Sequence, residues 1–191
     1  MMNVKDAINK RRAYRSLEYL QITEELIKEL ANSAQLAPSC FNNQPWRFVF
    51  VYTPEMLQAL QPALSKTNAW VQTASLIIAV FSRPEDDCRI KGREYYLFDT
   101  GMATAFILLR ATELGLVAHP IAGYDEIQAK NILDIPEEMK LITLVIVGKH
   151  SETMSPLLTE NQAASERKRP ERLSLDNFVH LNRFKAENKI I

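Results

Sequence analysis

Six consecutive residues, Leu76-Ile77-Ile78-Ala79-Val80-Phe81, carry no polar side chain. A strand with one wet face alternates apolar and polar residues. A run without alternation is expected of a central strand buried on both faces. Residues 141–147 form a second apolar run, closed by Gly148, and read as the last strong strand. Both runs are far too short to span a bilayer. Residues 46–52 read as a further strand and 116–121 as a short extended segment. At 191 residues the chain has the length for one domain, residues 1–191, and not for a second full core.

Helical signals fill the intervals. Thr23 suits an N-cap, with Glu24 and Glu25 in the favourable first turn. Leu26, Ile27, Leu30, Ala31 and Ala34 then make an apolar stripe that ends before Pro38. Pro54 opens the next helix at a position where its missing N–H costs nothing. The longest helical pattern covers residues 93–114, with Gly115 as its C-terminal cap. It is apolar enough to be central, with both flanks covered. Asp125 and Gln128 mark another helix start, and that helix stops around Asp134. Residues 82–91 read as a loop and 149–166 as a polar, mobile stretch. In the tail, Leu173, Leu175, Phe178, Val179, Leu181 and Phe184 need a surface to cover, either a partner subunit or the chain's own core.

Three segments are candidates for chemistry. The stretch Ala37-Pro38-Ser39-Cys40-Phe41-Asn42-Asn43-Gln44-Pro45-Trp46 is a polar loop whose prolines stop regular structure. It suits a set of hydrogen-bonding groups held against a flat, polar-edged ligand. The runs Lys10-Arg11-Arg12-Ala13-Tyr14-Arg15 and Arg167-Lys168-Arg169-Pro170-Glu171-Arg172 carry planar guanidinium forks that match phosphate geometry. Formal net charge is zero, so these runs do not sit on a broadly basic protein, which counts against a nucleic-acid binder.

Much is missing. None of the five glycines forms GxGxxG or a Walker loop, the three histidines lack metal-ligand spacing, and there is no GxSxG serine. Cys40 and Cys88 lie far apart without CxxC spacing, which indicates neither a zinc ribbon nor a disulfide framework. Cys40 as a thiol nucleophile is the less common case beside an inert free cysteine. The N-terminus has no apolar h-region, and a cytoplasmic location is the default expectation. An enzyme with this inventory leaves the hard chemistry to a bound cofactor.

In order along the chain, KRRAYR, PSCFNNQPWRF, DTGMATAFILLRATELGL, HPIAGYD and RKRPERLSL resemble the nitroreductase family of FMN-dependent oxidoreductases, over residues 5–180. The resemblance implies an α+β fold with a mainly antiparallel central sheet flanked by helices on both faces, built into an intertwined homodimer. The segment from about residue 166 to 191 is a candidate arm on the partner subunit. FMN suits the residues: arginines for its phosphate, amides and serine for its ribityl hydroxyls. By the family's pattern Arg11, Arg12, Arg167 and Arg169 grip the phosphate, and Arg15 lies near the pyrimidine edge, where a positive charge stabilises reduced flavin. Pro38, Ser39, Cys40 and Asn42 match the segment that reaches the flavin from the second subunit. Asn68 matches an amide at the pyrimidine portion, while Pro120, Ile121, Ala122 and Gly123 match a backbone segment near N5. Trp46 reads as a core anchor.

The implied chemistry is a two-step exchange. NADH or NADPH passes hydride to flavin N5 and leaves; then a nitroaromatic, quinone or similar acceptor takes two electrons, and geometry carries much of the rate effect. No side chain is required as a nucleophile, no metal is implied, and the expected partners are a second copy and a small-molecule acceptor. Three departures bear on the pocket: Ala13 stands where the family often has serine, Cys40 and Phe41 replace small hydroxyl residues, and Trp70, Val71 and Gln72 stand where some members carry a lysine. A non-catalytic FMN carrier, or a dehalogenase or dehydrogenase branch of the superfamily, is the alternative.

Overall fold

A computed structural model describes residues 2–184. In chain order its elements are α1 (Val4–Lys10), β1 (Leu17–Glu18), α2 (Glu24–Gln35), β2 (Arg47–Val51), α3 (Pro54–Leu60), β3 (Leu76–Ser82), β4 (Arg89–Ile90), β5 (Arg93–Glu94), α4 (Tyr96–Glu113), β6 (Leu116–Ile121), α5 (Glu126–Ile132), β7 (Lys140–His150) and α6 (Glu160–Arg167). The helices start where local chemistry dictates. Thr23, Thr53 and Asp125 each accept a backbone N–H of the first turn, satisfying donors a helix cannot satisfy itself.

The apolar runs form the middle of a five-stranded antiparallel sheet. β3 lies between β2 and β7, and every residue of β3 is buried. β6 pairs along the other side of β7, from Leu116 opposite Lys149 to Ile121 opposite Leu144. β1 continues beside β7 beyond the start of β3, with Leu17 opposite His150. Alternate side chains divide between two apolar clusters. Leu76, Ile78, Val80, Val145 and Val147 meet Leu30, Ala34, Ala103 and Ile107 of α2 and α4. Ile77, Ala79, Leu144 and Ile146 meet Leu60, Trp70, Val71 and Ala129 on the opposite face. The α+β architecture with helices on both faces is therefore as expected.

Three details differ from the sequence reading. Lys91 and Gly92 have positive φ, which turns the chain back so that β5 pairs with β4, and α4 begins at Tyr96 instead of residue 93. One face of α4 is buried, but Leu97, Phe98 and Phe106 on its other side are exposed, so among the described residues only one flank is covered. The stretch read as mobile instead contains α6, started by a capping box between Thr159 and Gln162. The tail side chains Leu173, Leu175, Phe178, Val179, Leu181 and Phe184 lie exposed, and the rest of the expected arm, 185–191, lies outside the described residues.

Candidate functional site

Two ends of the chain meet at one buried carboxylate. Glu166, on the last turn of α6, is buried and accepts the Ser16 N–H at 2.9 Å and the Arg15 N–H at 3.0 Å. Arg12 completes the clamp: its guanidinium donates to the carbonyls of Ser165 and Glu166 at 2.9 and 3.0 Å and to the Tyr14 hydroxyl at 2.9 Å. Arg12 also lies over the Tyr14 ring, 4.4 Å from its centroid. Residues two apart in extended chain share a side, so the Arg12 guanidinium, braced by Tyr14, binds α6 while the Arg11 and Arg15 guanidinium groups are left for other work.

A cavity of about 190 Å³ opens between these segments, lined by Arg11, Arg12, Ala13, Arg15, Arg169 and Arg172. Arg169 is fixed there by donating to the Arg11 carbonyl at 3.0 Å. Burial holds the Arg11 guanidinium below its ordinary pKa, and the neighbouring Arg169 and Arg172 charges push the same way. Burial likewise lowers Arg15, with Glu166 opposing it. Like charges crowded into a partly desolvated hollow are costly until an anion enters.

Beside Arg15 a chain of contacts runs under the sheet edge. Trp70 is fully buried and stacks on His119, with ring centroids 5.0 Å apart. The His119 Nδ1 lies 3.0 Å from the Tyr14 carbonyl oxygen. Trp70 donates its indole N–H to Asn68 Oδ1 at 3.3 Å, and Asn68 Nδ2 donates to the Gly123 carbonyl at 2.9 Å. A Cβ on Gly123 would sit 2.5 Å from Ser65 Oγ and 2.7 Å from Asn68 Nδ2, so the close approach needs glycine there. Ile121 points into the core while Pro120 and Ala122 are exposed.

The loop at 38–45 is built differently. Phe41, Asn42 and Gln44 all have positive φ, a conformation that costs non-glycine residues energy and persists only when the surroundings enforce it. Here Cys40 is joined to Cys88 by a disulfide, the Asp99 carboxylate accepts the Cys40 N–H at 2.7 Å, and Ser39 Oγ accepts the Gln44 N–H at 2.9 Å. Asp99 is buried, and burial raises its pKa, aided by the neighbouring Asp87 carboxylate. The disulfide corrects the reading of two unpaired cysteines. Nothing in their spacing shows that a loop before β2 and the segment before β4 meet above α4. The two sulfurs and Asp87 lie within 4.8 Å of one another, but sulfurs bonded to each other are not thiolates, the form that ligates metals.

The sequence pattern of the nitroreductase family matches residues 8–69 and 63–149, which include the cationic segment, the loop, Asn68 and the turn at Gly123. The chain belongs to the nitroreductase family. A provisionally named NADH dehydrogenase/NAD(P)H nitroreductase of Methanothermobacter thermautotrophicus is 30% identical over 155 residues, 79% of each chain. A nitroreductase family protein from Clostridium novyi NT superposes with a TM-score of 0.74 at 26% identity, over 79% of this chain and 87% of that one. A solved oxidoreductase described as containing FMN superposes at 0.77 with 26% identity, over 95% and 92% of the two chains.

Within this nitroreductase fold the expected residues fall into three places. Arg11, Arg15 and Arg169 come together around the cavity, and Asn68 joins Gly123. Arg12 lines the cavity but spends its guanidinium on α6, and Arg167 is exposed and lies outside the cavity lining. Pro38, Ser39, Cys40 and Asn42 sit at the far end of the sheet. Arg47 faces Phe81, which faces Leu141, whereas Leu17 faces His150; nine residues of β7 separate these levels, about 30 Å at the usual rise per residue. Sequence reading missed Glu166, His119 and Arg172 as site residues. Arg172 was visible in its basic run, but a lone glutamate in a polar helix and a lone histidine in a strand carry no local signal.

Proposed function

We propose that this nitroreductase-family protein is an FMN-dependent oxidoreductase that uses NADH or NADPH to reduce a nitroaromatic, quinone or similar small acceptor. The observation that carries this reading is the convergence of Arg11, Arg169 and Arg172 on one cavity, where Arg11 is desolvated among like charges. Such a donor set fits a phosphate dianion. With Ala13 in place of a hydroxyl residue, the phosphate depends on guanidinium groups more heavily.

When bound, FMN supplies the hydride acceptance and donation. The chain supplies the holding. Arg11, Arg169 and Arg172 grip the phosphate, and Arg15 presents its charge to the pyrimidine edge. Asn68 and the Pro120–Gly123 backbone bound the ring. The separation of Pro38, Ser39, Cys40 and Asn42 from Arg15 supports their reaching a flavin held by a second copy. The uncovered apolar side of α4 supports the same homodimer.

Purified protein tests this directly. A yellow protein whose released pigment has the mass of FMN, and which bleaches anaerobically on adding NADH or NADPH, is the expected result. A yellow protein indifferent to both nucleotides would leave an FMN carrier, and a colourless protein that takes up no FMN would overturn the reading. A panel of nitroaromatics, quinones and halogenated aromatics then assigns the acceptor.

A further inference from the structure

We infer that His119 is a positioning residue, whose ring holds the Tyr14 carbonyl and the Trp70 indole so that the charge of Arg15 is set in one place. The inference rests on the FMN reading above for its consequence, and on the fold alone for its geometry.

A carbonyl oxygen only accepts, so the 3.0 Å contact from His119 Nδ1 to the Tyr14 oxygen puts the ring proton on Nδ1. That bond ties β6 to the residue immediately before Arg15. The same ring stacks on Trp70, with an interplanar angle of 26°, and the Arg15 guanidinium carbon lies 6.0 Å from the Trp70 ring centroid, at the edge of cation–π range. From Trp70 the chain continues through Asn68 to the Gly123 carbonyl. His119 therefore links all three segments assigned to the flavin: residues 11–15, Asn68, and the turn at 120–123.

Its own position is firm, because His119 is paired with Ile146 inside the β6–β7 ladder, and a group on a strand is held more closely than one on a loop. A purely apolar residue would fill this space without the cost of burying an imidazole; the hydrogen bond to Tyr14 is what the imidazole adds. Burial also keeps the ring neutral, with a pKa lowered to about 4, so Arg15 faces no second cation there at neutral pH.

The variants His119→Phe and His119→Asn separate the two contacts. Phenylalanine keeps a stacking ring without a donor, while asparagine places an N–H close to the position of Nδ1. His119→Phe is expected to weaken FMN binding about tenfold. It should also weaken reduced flavin tenfold more than oxidised flavin, a negative shift of about 30 mV for a two-electron couple. His119→Asn should return both quantities to within about threefold of wild type. Unchanged affinity and potential in His119→Phe would overturn the inference, and so would equal losses in the two variants, which would mean packing alone.

Two measurements need no flavin. Ring nitrogen shifts of the ligand-free wild type should place the proton on Nδ1, and a proton on Nε2 overturns the inference even if His119→Phe does not fold. Slow exchange of the Trp70 indole proton should be retained in His119→Phe, which keeps the stacked ring, and lost in His119→Asn, which removes it. A wild type with the Nδ1 proton and the protected indole that takes up no FMN refutes the proposed function while supporting this arrangement.

Discussion

The Ser16 N–H donates to Glu166 Oε1 at 2.9 Å across 150 residues of sequence. Arg15 donates to the other carboxylate oxygen, so one buried side chain brings α6 and its basic extension against the N-terminal arginines. Glu166→Ala leaves two backbone donors without a partner, and bonds to charged acceptors are the stronger kind. The expected loss is about 3 kcal/mol in urea denaturation, with a smaller loss for Glu166→Gln, which keeps one good acceptor. A loss below about 0.5 kcal/mol for the alanine variant would show that the clamp is not structural.

Arg172 and Arg167 lie five residues apart but only Arg172 lines the cavity. A charge-assisted hydrogen bond contributes about 1.5–3 kcal/mol, so Arg172→Ala and Arg11→Ala should each weaken FMN binding roughly 10- to 100-fold. Arg167→Ala should change it less than about threefold. Flavin fluorescence quenching checks this, and a reversed order of Arg167 and Arg172 would refute the phosphate assignment.

Cys40 and Cys88 close a loop with a sequence separation of 48. On the chain-entropy account a crosslink of that span stabilises by up to about 4 kcal/mol, and it also holds the positive-φ loop at 38–45. Reduction with a thiol, or the double change Cys40→Ser with Cys88→Ser, should lower the melting temperature by several degrees. Thiol counting before and after reduction should rise from zero to two per chain, and two reactive thiols in the untreated protein would contradict the crosslink.

His119 makes acid stability predictable in sign. Its folded pKa of about 4 lies below the ordinary 6.5. Between those values the unfolded chain binds more protons, so stability rises with pH there. The contribution is complete above about pH 6.5 and is lost as pH falls towards 4. The full span corresponds to about 3 kcal/mol. Urea midpoints at pH 7 and pH 4.5 should differ less in His119→Phe than in wild type, and equal slopes would show that His119 is not buried in its neutral form.

The element plan was readable because its causes are local. The apolar runs at β3 and β7, the caps Thr23 and Asp125, Pro54 at the start of α3 and the glycine after α4 act over a few residues, and each appears where expected. β5 was missed because the reversal at Lys91 and Gly92 needs pairing with β4 to show itself. α6 was missed because a polar helix carries no apolar stripe, and only its capping box marked it.

The sequence alone determined that this chain builds buried strands and capped helices and carries arginine runs near both its ends, because periodicity, capping and charge are written residue by residue. The antiparallel order of the sheet followed from the family resemblance and not from the pattern. Tertiary structure alone decided that Arg172 and not Arg167 joins Arg11, that Cys40 meets Cys88, and that Glu166 and His119 tie the site together. It also decided that the loop at 38–45 stands at the far end of the sheet from Arg15. Each of these is a contact between distant segments, fixed by strand register and by which side chains the buried faces leave pointing outward.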